Sequence, residues 1–238
     1  MNLGGGGGGM LDAYGGGASI PDRAIRPPGT MHLTLGVMSL KDEAVPRAIE
    51  LLRSIRLREV LEQAREATAS SVTQAARTMG LETAAFPSSA TRSEDTDGLY
   101  ITLRGLNAMQ SPSKTTVLYA PPLDPGQLLR RFCELLKAKF TAAELMTPED
   151  RPLLLHATVV NTIYVKGNSG GRGGRGGGRS RERLTIDARD LIERYEDYVW
   201  LEDMKVESVR ICRMGAKKVE GGEVEGDEAY EVEGEVTF

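Results

Sequence analysis

The feature that most restricts how this chain can fold is a four-residue frame that occurs twice and contains both of its histidines. His32 begins His-Leu-Thr-Leu, and His156 begins His-Ala-Thr-Val in the second half of the chain. Both frames lie in apolar stretches typical of strands, in which successive side chains alternate between two faces. The pattern therefore predicts two matched strands, which present His32 with Thr34 and His156 with Thr158.

The other periodic segments place one frame in each half of an α+β chain. Strand patterns cover 31–40, 99–106, 115–119, 153–165, 205–213 and 229–238. Helix patterns begin near Asp42, Leu57, Asp124 and Asp187. Three of these four residues are aspartates, which can cap a first helical turn.

Three segments lack any such period and are rich in small or polar residues. Residues 1–19 are predicted to form a disordered, glycine-rich tail, and 68–97 and 167–183 to be flexible insertions. The rest of 20–238 is expected to form one domain, because an apolar content of 40% is sufficient for a core once these segments are set aside.

Composition argues against several kinds of protein. No run of 18 apolar residues occurs and the N-terminus lacks the pattern of a signal peptide, so neither a membrane span nor a secretory leader is predicted. Cys133 and Cys212 are isolated, which is typical of reduced, buried thiols in an intracellular protein. Because the two histidines and two cysteines are not at ligand spacing, we predict neither a metal site nor a cofactor.

A glycine- and arginine-rich segment follows the second histidine frame. Residues 171–176 match the G-x-G-x-x-G pattern of dinucleotide-binding proteins, but no helix pattern starts immediately after them, so we reject that interpretation. Arg172, Arg175 and Arg179 would instead give the segment a weak, sequence-tolerant contact with nucleic acid. The alternative is a loop insertion without a binding role.

The residues around the two frames also resemble a known family. The likeness is carried by PGTMHLTLGVM around His32, by GLNAM and VLYA in mid-chain, and by DRPLLLHATVVNTIY around His156. In this order, the blocks resemble the A-kinase anchor protein 7-like domain of the two-histidine (2H) phosphoesterase superfamily, with the greatest likeness to subunits of the activating signal cointegrator complex. The likeness covers about residues 20–238. Relatives begin with an apolar strand that this glycine-rich start lacks, so we expect either that the first edge strand is missing or that the start of this sequence is not the natural one.

The resemblance implies a two-lobed, LigT-like fold in which two antiparallel sheets form a central cleft and helices pack outside. It also implies that His32 and His156 face each other across the cleft as acid and base, and that Thr34 and Thr158 bind phosphate. An imidazole ordinarily titrates at about pH 6.5, so one ring can accept a proton while the other donates one. This chemistry needs neither a metal nor a cofactor.

The implied substrates are RNA or oligonucleotide phosphoesters with a 2′ oxygen, either 2′,3′-cyclic phosphates or 2′,5′ linkages. The implied setting is nuclear, with a cytoplasmic fraction as an alternative, in a transcription-coactivator or DNA-alkylation-repair complex that includes a helicase. Two other interpretations remain open. The domain could be a non-catalytic scaffold that binds RNA or a nucleotide, or a structural domain whose histidines belong to the core.

Overall fold

The computed structural model describes residues 20–78, 98–165, 183–220 and 227–238. The predicted N-terminal tail, most of the first predicted insertion and nearly all of the second lie outside these ranges, as do Arg172, Arg175 and Arg179. Within the described ranges, no helix has both the length and the apolar character needed to cross a membrane.

Three of the four α-helices in the described residues begin near aspartates that the sequence marks as caps. The helices are α1 (Val45–Ser54), α2 (Leu57–Thr78), α3 (Leu128–Ala142) and α4 (Arg189–Arg194). Before α3, the Asp124 carboxylate accepts hydrogen bonds from the N–H groups of Leu129 and Arg130, at 3.1 and 2.8 Å. Before α4, Asp187 accepts the N–H of Arg189. These contacts satisfy amides that have no partner within the helix.

Within the described ranges, the strands pair antiparallel and form four small sheets. They are β1 (Tyr100–Arg104), β2 (Asn107–Ala108), β3 (Val117–Ala120), β4 (Ala157–Asn161), β5 (Val199–Lys205), β6 (Ser208–Cys212), β7 (Lys217–Lys218), β8 (Glu228–Ala229) and β9 (Val232–Thr237). β3 lies between β2 and β4, and the other sheets pair β1 with β5, β6 with β9, and β7 with β8. The predicted α+β class is confirmed, with short antiparallel sheets and few helices.

Two clusters of apolar side chains form most of the core. The larger joins α1, α2 and α3 through buried residues such as Leu52, Leu61 and Phe132. The second lies beneath β3 and β4. Cys133 is buried in the larger cluster, and burial raises the pKa of its thiol to about 12. Cys212 is exposed, so the prediction of two buried thiols holds for only one of them.

The segment 31–40 is not the predicted strand. Its apolar residues do pack against the core in near-alternation, as Leu33 and Leu35 show. No described backbone forms a ladder with it, so it remains extended chain without regular secondary structure. Alternation specifies which side chains are buried, whereas a strand also needs a neighbouring backbone in register.

Two further segments differ from prediction in extent. Of the predicted strand at 153–165, only the residues of β4 form a strand. The strand ends at Asn161, whose side chain accepts the N–H of Ile163 where a 3₁₀ turn begins. Residues 68–78, predicted to be loop, continue α2. Their alanines compensate for serines and threonines that only weakly disfavour a helix. β5 was not predicted.

Candidate functional site

His156 directly precedes β4, and the pairing of β4 with β3 determines its surroundings. Thr158 pairs with Tyr119, and the pairing then skips Val159, so β4 contains one extra residue at this point. Such a bulge bends a strand and re-aims the side chains beside it. The Tyr119 ring meets the His156 imidazole edge-to-face, with 5.4 Å between the ring centroids.

His32 follows the 3₁₀ turn Pro28–Thr30, in the extended segment that lacks a ladder. Its imidazole also meets a tyrosine edge-to-face, in this case Tyr230, with 5.0 Å between the ring centroids. Tyr230 follows β8, far along the chain. The surroundings of His32 are therefore assembled from residues distant in sequence.

The same kind of hydrogen bond, from the ring to a backbone carbonyl two residues earlier, orients both imidazoles. Nδ1 of His32 lies 2.7 Å from the backbone oxygen of Thr30, and Nδ1 of His156 lies 2.9 Å from that of Leu154. A carbonyl oxygen can only accept, so Nδ1–H donates in both rings and the lone pair of the neutral ring is on Nε2. Neither Nε2 has a hydrogen-bond partner among the described residues. Each Nε2 can therefore exchange a proton with a ligand.

The threonines of the two frames also keep their hydroxyls available. Thr34 and Thr158 are half-buried, and neither hydroxyl forms a hydrogen bond within the described part of the chain. The buried Thr30 and Thr162, in contrast, each donate to a backbone carbonyl. Only the frame threonines of these four can donate to a bound anion.

A shared core lies beneath the two frames. Leu33, which follows His32, packs against the larger cluster and against a third, smaller one formed by Leu103, Ala120 and Ala157. One of these clusters contains Leu155 and the other contains Ala157, the residues on either side of His156. The structure therefore brings both predicted frames to one region of the core.

Three residues around the histidines are not among the predicted site residues: Arg26, Tyr119 and Tyr230. Tyr119 and Tyr230 lie in predicted strands and Arg26 does not, but none of these patterns indicates a contact with a histidine. Burial, the neighbouring Tyr164 and other charges raise the pKa of the Tyr230 phenol, and the Arg26 guanidinium opposes that rise. Tyr230 is therefore a neutral phenol at neutral pH.

A surface groove of about 430 Å³ has no residue of either frame in its lining. Its two arginines, Arg104 and Arg189, are already paired with Asp197 and Asp187, at 2.5 and 2.7 Å.

Among the described residues, no three His, Cys, Asp or Glu side chains converge as a metal site requires.

The α+β fold with its two histidine–threonine frames places the protein among the 2H phosphoesterases. The model of the family described as the AKAP7 2′5′ RNA ligase-like domain matches residues 17–238, and the chain belongs to this family. The predicted superfamily is thereby confirmed. The domain supports a phosphoesterase-type function, and an RNA or oligonucleotide substrate fits it.

One curated relative is uncharacterized protein C15D4.13c of Schizosaccharomyces pombe. It is 31% identical to this chain over 107 residues, which are 45% of this chain and 44% of the relative. The chain thus matches less than half the length of this relative.

Proposed function

We propose that the protein is a metal-independent phosphodiesterase that acts on 2′ phosphoesters of RNA or oligonucleotides by two-histidine acid–base catalysis. The observation that carries this proposal is that the His32 and His156 imidazoles have the same hydrogen-bond arrangement. Each ring donates from Nδ1 to a backbone carbonyl and leaves Nε2 open, and each is followed by a threonine with an unused hydroxyl. One such ring can serve as the base and the other as the acid.

The proposed hydrolysis of a 2′,3′-cyclic phosphate needs two proton transfers. The neutral imidazole takes a proton from water at Nε2 while the water oxygen bonds to phosphorus. The imidazolium of the other frame gives its proton to the ribose oxygen as the bond from phosphorus to that oxygen breaks. The product is a phosphomonoester, and solvent returns both rings to their starting protonation states. Each transfer typically contributes about 10²–10⁴-fold to the rate.

The frame threonines would stabilise the charge that develops during this reaction. The hydroxyls of Thr34 and Thr158 would donate to the non-bridging phosphate oxygens, where negative charge increases in the transition state. With a 2′,5′-linked substrate, the neighbouring ribose hydroxyl can replace water as the nucleophile. Because the two imidazoles make the same hydrogen bond and leave the same nitrogen open, the proposal assigns the acid and base roles to the two histidines together and not to either one.

Turnover assays test the proposed function. The purified chain is incubated in EDTA over pH 5–8 with RNA ending in a 2′,3′-cyclic phosphate and with 2′,5′-linked oligoadenylate, beside His32→Gln and His156→Gln. Arg210→Gln, which removes a surface ion pair with Glu235, is the control. We expect a bell-shaped pH profile in the wild type and the control, and loss of turnover in both histidine variants. Saturable RNA binding without turnover would support the non-catalytic scaffold instead.

The glycine- and arginine-rich segment is proposed to assist RNA binding. Arg172, Arg175 and Arg179 would contact the phosphate backbone, so affinity would fall steeply with salt. Deletion of 167–180 should weaken binding and flatten its salt dependence. Unchanged affinity and salt dependence would refute this role.

The resemblance also supports a proposed setting for the enzyme, as a nuclear subunit of a transcription-coactivator or DNA-alkylation-repair complex. Affinity purification of the tagged chain from its native cells tests this setting. Recovery of a helicase and coactivator subunits, with nuclear fluorescence of the tagged chain, is the expected result. A chain recovered alone from the cytoplasm would contradict it.

A further inference from the structure

We propose that Arg26 and Tyr230 are positioning residues for His32. Arg26 orients Tyr230, and the Tyr230 ring holds the His32 imidazole so that Nε2 is directed toward the substrate. This inference rests on the proposed function, because it assigns these residues a role in proton transfer.

Arg26 is a buried cation with contacts on several sides. Its side chain is 6% exposed, and its guanidinium lies 3.3 Å from the Glu228 carboxylate. Its Cζ atom lies 3.9 Å from the centre of the Tyr164 ring. Its positive charge also lies near enough to Tyr230 to lower the pKa of the phenol. A planar guanidinium can pair with a carboxylate at its edge while its face covers an aromatic ring.

The backbone of Arg26 is fixed from the other direction. Ile25 forms a single antiparallel bridge with Val160, and the N–H of Arg26 donates to the backbone oxygen of Val159 at 2.8 Å. Val159 and Val160 both belong to β4, the strand that follows His156. Arg26 therefore connects the strand beside one histidine to the aromatic partner of the other.

Residues 227–230, here called the C-terminal clamp, enclose the turn that precedes His32. The Asp227 carboxylate accepts the N–H of Gly29 at 3.0 Å, and Tyr230 contacts the imidazole of His32. A Cβ at Gly29 would lie 2.6 Å from the backbone oxygen of Glu228, so clamp and turn are in direct contact. Side chains from the clamp thus reach the turn, Arg26 and the imidazole.

His32 depends on these contacts because none of the described strands pairs with its segment. The His156 ring stands beside Tyr119, which the β3–β4 ladder fixes. The segment around His32 forms no such ladder with the described residues. Its ring orientation is set by one hydrogen bond to Thr30 and by the Tyr230 ring.

Imidazole ¹⁵N NMR of the full chain tests the inference. The two histidines give two sets of signals, which the His156→Gln variant assigns. In the wild type, both neutral rings should be Nδ1–H tautomers. In Arg26→Met and Tyr230→Leu, we expect the His32 signals to become an average of both tautomers while the His156 signals stay unchanged.

Kinetics on the cyclic-phosphate RNA supply the second measurement. In the same variants, kcat should fall by about ten- to a hundredfold, since small displacements of a catalytic group have effects of this size. KM should change by less than about threefold, because phosphate binding is intact. Arg210→Met is the matched control, because it also removes an arginine–glutamate ion pair. This pair, Arg210 with Glu235 at 2.7 Å, lies on the surface. The control should change neither the imidazole signals nor the rates.

The outcomes separate this inference from the proposed function. Unchanged His32 signals in the folded variants would overturn it, as would an equal loss of kcat in Arg210→Met. If Arg26→Met or Tyr230→Leu does not fold, the same measurement is made on Arg26→Lys and Tyr230→Phe. Arg26→Lys keeps the positive charge and Tyr230→Phe keeps the aromatic ring. Tautomer averaging in either supports the inference, and unchanged signals in both refute it. Absence of turnover in the wild type would refute only the proposed function, since the tautomer measurement needs no substrate.

Discussion

The two histidine frames differ in how the surrounding chain supports them. His156 stands at the start of β4, and Thr158 and Tyr119 beside it belong to one hydrogen-bonded ladder. His32 stands in a segment that forms no ladder with the residues the structure describes, and its support comes from Arg26 and Tyr230. Both Nδ1 atoms nevertheless donate to the carbonyl oxygen two residues earlier. The shared imidazole geometry is thus a local backbone feature, and the strand is only one way to stabilise it.

The two kinds of support differ in their sensitivity to substitution. A ladder is made of backbone hydrogen bonds, which most side-chain changes leave intact. The support of His32 is made of individual side-chain contacts, and the loss of one of them frees the rest to move. The His32 frame should therefore be the more easily disturbed half of the site.

The largest expected effect comes from the histidines themselves. His32→Gln and His156→Gln should each lower kcat by about 10²–10⁴-fold, because each removes one proton transfer. The double variant should be little worse than the weaker single variant, because acid and base act on the same step. Single-turnover rates of the three variants measure this. Losses that multiply would show that the two frames work independently.

The frame threonines should have a smaller effect that is similar on both sides. Thr34→Val and Thr158→Val each remove a donor to a charged phosphate oxygen, which is worth about 1.5–3 kcal/mol, or roughly ten- to a hundredfold in kcat/KM. Steady-state kinetics of both variants give the comparison. If only one variant loses activity, phosphate binding belongs to a single frame.

Gly29→Ala should disturb the His32 frame and leave the other intact. The new Cβ would lie 2.6 Å from the backbone oxygen of Glu228, so the turn and the C-terminal clamp must separate. Overpacking of this kind costs about 1–3 kcal/mol, and Tm should fall by several degrees. The His32 imidazole signals should shift while those of His156 do not. Equal shifts at both rings would contradict the separate support of the two frames.

Tyr119→Phe should have the smallest effect. The Tyr119 hydroxyl makes no hydrogen bond with the described residues, and the ring edge that meets His156 is retained. A change within about ±0.5 kcal/mol, or roughly twofold in kcat, is expected. Tyr230→Phe, which removes a hydroxyl that interacts with Arg26, should be clearly worse in the same assay.

Local sequence information predicted the parts of the site that depend on local chemistry. The two frames could be read directly, and the alternation around Leu33 and Leu35 correctly indicated which side chains pack inward. The missing ladder at 31–40 could not be read, because pairing depends on a second backbone. The same limit applies to the fold, in which the α+β class was evident and the extension of α2 through Thr78 was not.

The support of His32 was beyond local prediction for a related reason. Arg26 directly precedes Pro27 and Pro28, and Tyr230 lies in the segment 229–238, which is predicted as a strand. Neither pattern indicates that the two side chains meet. A buried arginine becomes recognisable only when the carboxylate and the rings around it are known.

The contacts of the C-terminal clamp also set the order in which the site can form during synthesis. Arg26 and Glu228 are 202 residues apart, and Gly29 and Asp227 are 198 apart. A ribosome-bound chain can pair β3 with β4 as soon as both have emerged, so the His156 frame can form early. The His32 frame must wait until residue 230 has been released, and closing so long a loop is slow. A nascent chain therefore lacks the contacts that surround its first histidine until residue 230 has left the ribosome.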